Sequence, residues 1–322
     1  MKNRSVSITG ATGFVGGHLA DAFHDAGWRV RGVVRDRTAR ALANGVEVVE
    51  ASLFDHDALT AAFSGADVVV HCAGAIRAKD EHAFNRVNVD GTRGVVQAAN
   101  RSAASQLILI SSLAAAGPGT PERPRREDDP PAPVNAYGRS KLGGEEVLRR
   151  EARIGWTILR PCAVYGVGDR GFLPLFRMAK RGWFVRPTPA AMSFTMIDVA
   201  DLARAVLLAA EAVPEGQTLF VGHEQPHSTD DIMRTLASIY GRPYAPIDVP
   251  RPVVRATAAI GDLAWRLGRK FVFDSGRFAE FSAPGFVCST ERARDVLGFR
   301  AERDITEGFG RAARWYRETG WV

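Results

Sequence analysis

The stretch "SVSITGATGFVGGHLADAFHDAG", Ser5 to Gly27, decides the fold. It opens with a short β-rich run that ends at Gly10. Phe14, Val15, Leu19 and Phe23 then recur at helical spacing until Gly27, a C-cap signal. Gly10, Gly13 and Gly16 lie between strand and helix in a G-x-x-G-x-x-G spacing. Glycines let a backbone turn tightly and come close to a pyrophosphate, and the helix N-terminus behind them presents N–H donors and a positive dipole end. Strand, glycine turn and helix in this order predict a dinucleotide site, with Gly10, Thr12, Gly13, Phe14, Val15 and Gly16 around the phosphates. An ordinary Gly-rich turn is the plain alternative.

Further strands follow outward from that turn: Trp28 to Val34, "GVEVVEA", Asp67 to Gly74, Gln106 to Ser112 and Trp156 to Pro161, with helical segments between them. Their centres are apolar without alternation. That pattern predicts an α/β fold, a Rossmann-type doubly wound parallel sheet covered on both faces. Such sheets bind ligands at the carboxyl ends of their strands. Here those ends are Gly10, Arg35, Ser52, Cys72 to Gly74, Ser111-Ser112 and Pro161. After Gly166 the alternation weakens. The expected division is a dinucleotide-binding domain from 1–165 plus about 194–222, and a smaller C-terminal substrate lobe from about 166–193 plus 223–322.

The chain has 322 residues, 46% hydrophobic and 24% charged, with a net charge of +6. No apolar run is long enough to span a bilayer and the N-terminus lacks a signal-peptide pattern, so a cytoplasmic enzyme is expected. The basic runs "PERPRRE" (Pro121 to Glu127) and "RLGRK" (Arg266 to Lys270) lack the interleaved aromatics of a nucleic-acid surface. Cys72, Cys162 and Cys288 are far apart in sequence and read as reduced thiols, and His223 and His227 lack ligand spacing. No metal is expected.

The second strand runs into "VVRDR". A carboxylate at this strand end grips a ribose hydroxyl and selects NAD, whereas an Arg accommodates a 2′-phosphate and selects NADP. Arg35 comes first, ahead of Asp36 and Arg37, so NADP(H) is preferred and NAD(H) is the alternative. In "AYGRSKLGGEE", Tyr137 and Lys141 stand four residues apart, on one face of a helix. A cation beside a phenol lowers its pKa and lets it trade protons near neutral pH.

Together, TGATGFVG, VVHCAG, NVDGT, ISS, Tyr137-x-x-x-Lys141 and RPCAVYG resemble the extended short-chain dehydrogenases/reductases, the NAD(P)-dependent epimerase/dehydratase and 3β-hydroxysteroid dehydrogenase-like group. The resemblance runs in order to about Asp201 and more weakly to the C-terminus. It implies Tyr137 as general acid/base, Lys141 as the cation beside it and on the nicotinamide ribose, and Ser112 holding the substrate oxygen. It also implies Cys72, Ala73 and Gly74 along the cofactor, Asn88 in support, Ser52 and Leu53 toward the adenine, and Pro161 and Val164 on the nicotinamide. A homodimer through Asp80–Arg101 and Tyr137–Arg153 belongs to the same resemblance.

Three departures narrow the chemistry. Ser52 stands where the family carries an adenine-binding Asp. Leu113-Ala114 replaces the acid pair of the sugar-nucleotide dehydratases, which removes the second acid that dehydration needs. Phe194-Thr195 stands where many nucleotide-sugar epimerases carry Arg-Asp. The expectation is an NADP(H)-dependent oxidoreductase acting on a secondary alcohol or ketone in a small, largely apolar substrate, steroid- or terpenoid-like. Ile76, Leu113, Phe172, Phe176, Trp183 and Phe194 are candidate pocket residues. A nucleotide-sugar epimerase with tightly bound NAD is the alternative, and a non-catalytic, redox-sensing cofactor binder is a second. Finally, Arg251 to Phe273 is amphipathic, with Val253, Ala256, Ile260, Leu263 and Leu267 on one face. Packing of that face on its own lobe is expected, and contact with a membrane surface is the less favoured alternative.

Overall fold

The computed structural model describes residues 4–36, 42, 45–186, 192–212, 215–267 and 273–322. Strand and helix alternate from the start: β1 (Ser5–Thr9), α1 (Phe14–Asp25), β2 (Arg29–Val34), β3 (Glu47–Glu50), α2 (His56–Phe63) and β4 (Val68–His71). Then come α3 (Glu81–Asn85), a π-helical turn (Arg86–Asp90), α4 (Gly91–Arg101), β5 (Gln106–Ile110), α5 (Leu113–Ala116), α6 (Ala136–Glu151) and β6 (Gly155–Pro161). Beyond these lie β7 (Ala163–Tyr165), α7 (Leu173–Lys180), β8 (Phe184–Arg186), β9 (Ser193–Phe194), β10 (Met196–Asp198), α8 (Val199–Ala212) and β11 (Gln217–Val221). The chain closes with β12 (His227–Ser228), α9 (Thr229–Ile239), β13 (Pro246–Asp248), α10 (Arg251–Arg266), α11 (Ser275–Ser282), β14 (Gly285–Phe286), α12 (Glu291–Leu297) and α13 (Ile305–Glu318).

Seven parallel strands form the central sheet in the order β11-β6-β5-β4-β1-β2-β3. The chain winds outward from β1 to β3, then returns to place β4 against β1. That reversal opens a crevice above the carboxyl ends of β1 and β4, where doubly wound sheets bind ligands.

The sheet explains why its strands do not alternate. Val68 and Val70 point into one core with Val6, Ile8 and Val30, covered by Leu19 and Phe23 of α1 and by Leu202 and Val206 of α8. Val69 points the other way, to Leu107, Leu109 and Ile158, covered by Leu59 and Phe63 of α2, Val95 and Val96 of α4 and Leu148 of α6. Both faces are dry, so both sets of alternate residues must be apolar.

A third core is aromatic and lies off the sheet, where Phe176 meets Phe309 and Tyr316 at ring separations of 5.2 and 4.9 Å. From there the chain comes back: Ala293, Leu297 and Phe299 pack into the core beneath β1. The Pro118–Pro133 loop is pinned on this return, since Arg125 N–H donates to the Val287 carbonyl at 2.8 Å and Val287 N–H donates to that of Gly119 at 3.1 Å. Cys162 and Cys288, distant in sequence, meet here with their sulfurs 3.2 Å apart.

The face expected to bind α10 to its lobe is turned to solvent instead. Val253, Ile260, Leu263 and Leu267 are exposed, and the helix packs through Val254, Ala258 and Gly261. The small side chains of Ala258 and Gly261 permit a close approach that the larger residues opposite do not. Arg269 and Lys270 of the amphipathic stretch lie outside the described residues.

Candidate active site

At the phosphate end, α1 begins at Phe14 with Gly13 as N-cap, without a side-chain cap and without an acid in its first turn. Its first N–H groups have no intrahelical acceptor. Gly10 sits at φ +72°, which favours glycine, and a Cβ on Gly16 would lie 2.1 Å from the Gly10 carbonyl oxygen. A Cβ on Gly13 would meet only that carbonyl oxygen, at 3.1 Å, so this glycine borders open space. An uncapped helix end beside bare backbone fits a pyrophosphate. Arg35 and Asp36 follow β2, with Arg35 exposed; Arg37 lies outside the described residues.

Next to this turn, His71 at the end of β4 is fully buried between two threonines. Its Nδ1 lies 2.8 Å from Thr9 Oγ1 and its Nε2 3.1 Å from Thr92 Oγ1. Thr92 donates its own hydroxyl to the Asn88 carbonyl, so Nε2 carries the proton and Nδ1 accepts from Thr9. Burial, followed by the charge of Lys141, pushes this imidazole down from 6.5 to about 3. The network locks β1, β4 and α4 together beneath the crevice.

Asn88 lies in the π-helical turn. Its Oδ1 accepts from Ala75 N–H at 2.8 Å, and its Nδ2 donates to the Ala75 carbonyl at 2.9 Å and to Ser140 Oγ at 2.8 Å. Ser140 Oγ donates in turn to the Tyr137 carbonyl at 2.7 Å. One amide thus ties the Ala73-Gly74 loop to the helix that carries Tyr137.

Asn135 caps that helix, accepting from Gly138 N–H at 2.8 Å. Tyr137 and Lys141 follow on one face, and the Ser112 hydroxyl, which caps α5 beyond β5, lies beside the Tyr137 phenol. Lys141 is buried and donates through Nζ to the Ile110 carbonyl at 2.7 Å. Burial pushes this ammonium down to about 8, against the pull of Cys72 and Glu145. The phenol differs from expectation: burial raises it above its ordinary value, the Ser112 hydroxyl draws it back, Glu280 raises it again and Arg277 lowers it. Desolvation of the phenol dominates, and Lys141, held by the Ile110 carbonyl, is not among the groups that act on it.

Two clusters emerge that sequence reading missed. Below the site, Glu145 is wholly buried and takes Arg160 Nε and Nη2 at 2.9 and 2.7 Å, while Ser111 Oγ donates to it at 2.5 Å. Above the site, Asn135 Nδ2 donates to Glu280 of α11 at 2.8 Å. The Glu145 contacts had a local signal, one helical turn past Lys141; the Glu280 contact spans the sequence and had none.

The remaining candidates divide. Ser52, Leu53, Cys72, Ala73, Gly74 and Pro161 stand at strand ends along the crevice, with Leu53 packed over α4. Val164 packs against the central core. Leu113 is buried with Cys162 and Phe220, and Phe176 is fully buried in the aromatic core, so neither lines an open cleft. Phe172 and Phe194 flank that same aromatic core, partly buried. Ile76 and Trp183 are 74% and 58% exposed.

Comparison with known proteins agrees with this geometry. Residues 6–222 match the model of the NAD dependent epimerase/dehydratase family. The chain is 33% identical to a ceramide reductase of Caulobacter vibrioides, over 98% of this chain and 96% of that one. It is 28% identical to a 4-hydroxy-2-methyl-3-oxo-4-farnesyl-3,4-dihydroquinoline-1-oxide ketoreductase of Stigmatella aurantiaca, over 80% of each. A UDP-glucose 4-epimerase structure from Thermotoga maritima superposes with a TM-score of 0.81 at 20% identity, covering 98% of this chain and 99% of that one, a likeness of fold. The chain therefore belongs to the NAD dependent epimerase/dehydratase family of extended short-chain dehydrogenases/reductases, and it is an NAD(P)-dependent oxidoreductase.

Proposed function

We propose that the protein is an NADP(H)-dependent reductase that converts a ketone on a largely apolar, long-chain molecule to a secondary alcohol. The observation that carries this reading is the Ser112 hydroxyl beside the Tyr137 phenol, with apolar Leu113-Ala114 following Ser112 in the chain. One proton donor is present and the second acid of a dehydratase is replaced by apolar side chains. A bound nicotinamide supplies the hydride. Ser112 orients the carbonyl oxygen, and Tyr137 gives that oxygen its proton. A phenol held above its ordinary pKa stays protonated, which suits a donor in the reducing direction. Lys141, fixed by the Ile110 carbonyl, is the cation for the ribose hydroxyls. Arg35 at the end of β2 is the candidate partner of a 2′-phosphate.

The relatives support the substrate class: their names describe reduction of ceramide and of a farnesyl-bearing ketone. Phe194 and Thr195, where a phosphate-binding Arg stands in many sugar-nucleotide enzymes, support it as well. A homodimer through α4 and α6, which lie side by side, is part of the same reading. The test is to denature freshly purified protein and identify any released nicotinamide, then to follow NADPH and NADH oxidation with long-chain ketones. Turnover of NADPH by an otherwise empty protein is the expected result. Stoichiometric NAD in the purified protein would assign it to epimerisation instead.

A further inference from the structure

α10 carries two apolar arcs. The inner one, Val254, Ala258 and Gly261, packs the helix down on α11. The outer one contains Val253, Ile260, Leu263 and Leu267, which are 52%, 60%, 56% and 70% exposed, with Pro252, Ala256 and Ala259 exposed between them. At helical spacing these residues share one side of the helix. From Val253 to Leu267 the strip runs about 21 Å at the helical rise per residue.

Charge is distributed to match. Arg251 and Arg255 are exposed on this helix. Its single acid, Asp262, is half-buried on the face of the two arginines and accepts Ser275 N–H of α11 at 3.0 Å. The paired strands β8 and β13, which lead into the helix, add exposed Ile247 at 55%, and Trp183 directly precedes β8. A long apolar strip with cations beside it, an aromatic nearby and no carboxylate among its own residues complements an anionic lipid surface. A second copy of this helix would offer Arg251 and Arg255 no acid beyond Asp262, which already accepts from Ser275.

The strip is also close to the chemistry. α10 packs on α11, and α11 holds Asn135 through Glu280 while its Arg277 and Glu280 act on the Tyr137 phenol. One helix therefore separates the outer strip from the proton donor.

We propose that α10 docks the enzyme on an anionic bilayer, with its apolar face in the headgroup–acyl boundary. The side of the site that α11 covers then faces lipid, and an apolar ketone reaches Tyr137 from the membrane past α11. The delivery step rests on the substrate reading above, whereas the docking stands on the helix alone.

Flotation of the purified full chain with vesicles of phosphatidylcholine, with and without phosphatidylglycerol, tests it. The wild type is expected to float with the phosphatidylglycerol vesicles. Ile260→Glu/Leu263→Glu is expected to reduce the bound fraction by about tenfold or more, because binding scales with buried apolar area. Arg251→Glu/Arg255→Glu is expected to abolish the preference for phosphatidylglycerol. All these positions are exposed, and an unchanged melting curve with NADPH verifies that each variant folds. A wild type that stays at the bottom of the gradient overturns the proposal. So does a wild-type dimer that Ile260→Glu/Leu263→Glu converts to monomer, since that result gives the face to a second copy. Flotation needs no turnover, so the docking and the ketone reading fail separately.

Discussion

The site has a floor and a roof that are built differently. The floor is the sheet edge with α6: His71 between two threonines, Asn88 across to Ser140, and the Glu145–Arg160 pair, all buried. The roof is α11 with α10 behind it. α11 contains no fully buried residue, and one floor side chain, Asn135, reaches it, donating to Glu280 at 2.8 Å and to the Gly276 carbonyl at 3.4 Å. The difference locates two tasks. On the proposed function, proton transfer needs fixed atoms, which the floor offers, and admission of a bulky apolar molecule needs a loosely packed element, which α11 offers.

The comparison can be attacked from the floor first. Tyr137→Phe removes the proposed proton donor and is expected to lower kcat by about a hundred- to ten-thousand-fold with little change in melting temperature. Retained activity in a turnover assay would mean that the proton comes from elsewhere. Glu145→Ala leaves Arg160 buried without its partner and is expected to cost about 3–5 kcal/mol of stability, read by urea denaturation. Equal loss in an Arg160→Met/Glu145→Leu pair would instead assign the damage to packing.

His71 gives a pH signature. An unfolded imidazole takes up its proton near 6.5, whereas the folded one resists until about 3. Below 6.5 the unfolded state therefore holds more protons, and stability falls by about 1.4 kcal/mol per pH unit as pH drops through that window. Urea midpoints at pH 7.5 and 5.5 should diverge for the wild type and converge in His71→Asn. The smallest effect is expected in the roof. Asn135→Asp keeps the cap on α6 but sets a carboxylate against Glu280, so stability changes by about 1 kcal/mol or less while KM for a long-chain ketone moves several-fold at constant kcat. A fall in kcat with unchanged KM would place α11 in the chemical step and erase the distinction.

The floor was largely legible in the sequence, because its elements announce themselves locally. A strand, three glycines and a helix need only neighbours in the chain, and Tyr137 with Lys141 needs only one helical turn. What supports those residues was not legible: Arg160 lies on a different strand from Ser111, and Glu280 is far along the chain from Asn135. The phenol was misjudged because charge spacing can be read in a sequence and desolvation cannot. The roof failed for another reason. α10 has apolar residues on two sides, and periodicity finds such arcs without saying which one packs; the small pair Ala258 and Gly261 decided it.

The Cys162–Cys288 contact also provides a clock. Both thiols are buried, and burial pushes Cys162 well above its ordinary pKa, so alkylating reagents meet neither while the return strand stays seated. Each modification of Cys162 or Cys288, mapped apart from that of the half-buried Cys72, therefore counts one excursion in which the segment after β14 peels from the end of β6. The rate of modification at these two thiols in excess reagent reads the frequency of that excursion. Comparing the rate with and without NADPH would measure how far a bound cofactor steadies the covering of β6.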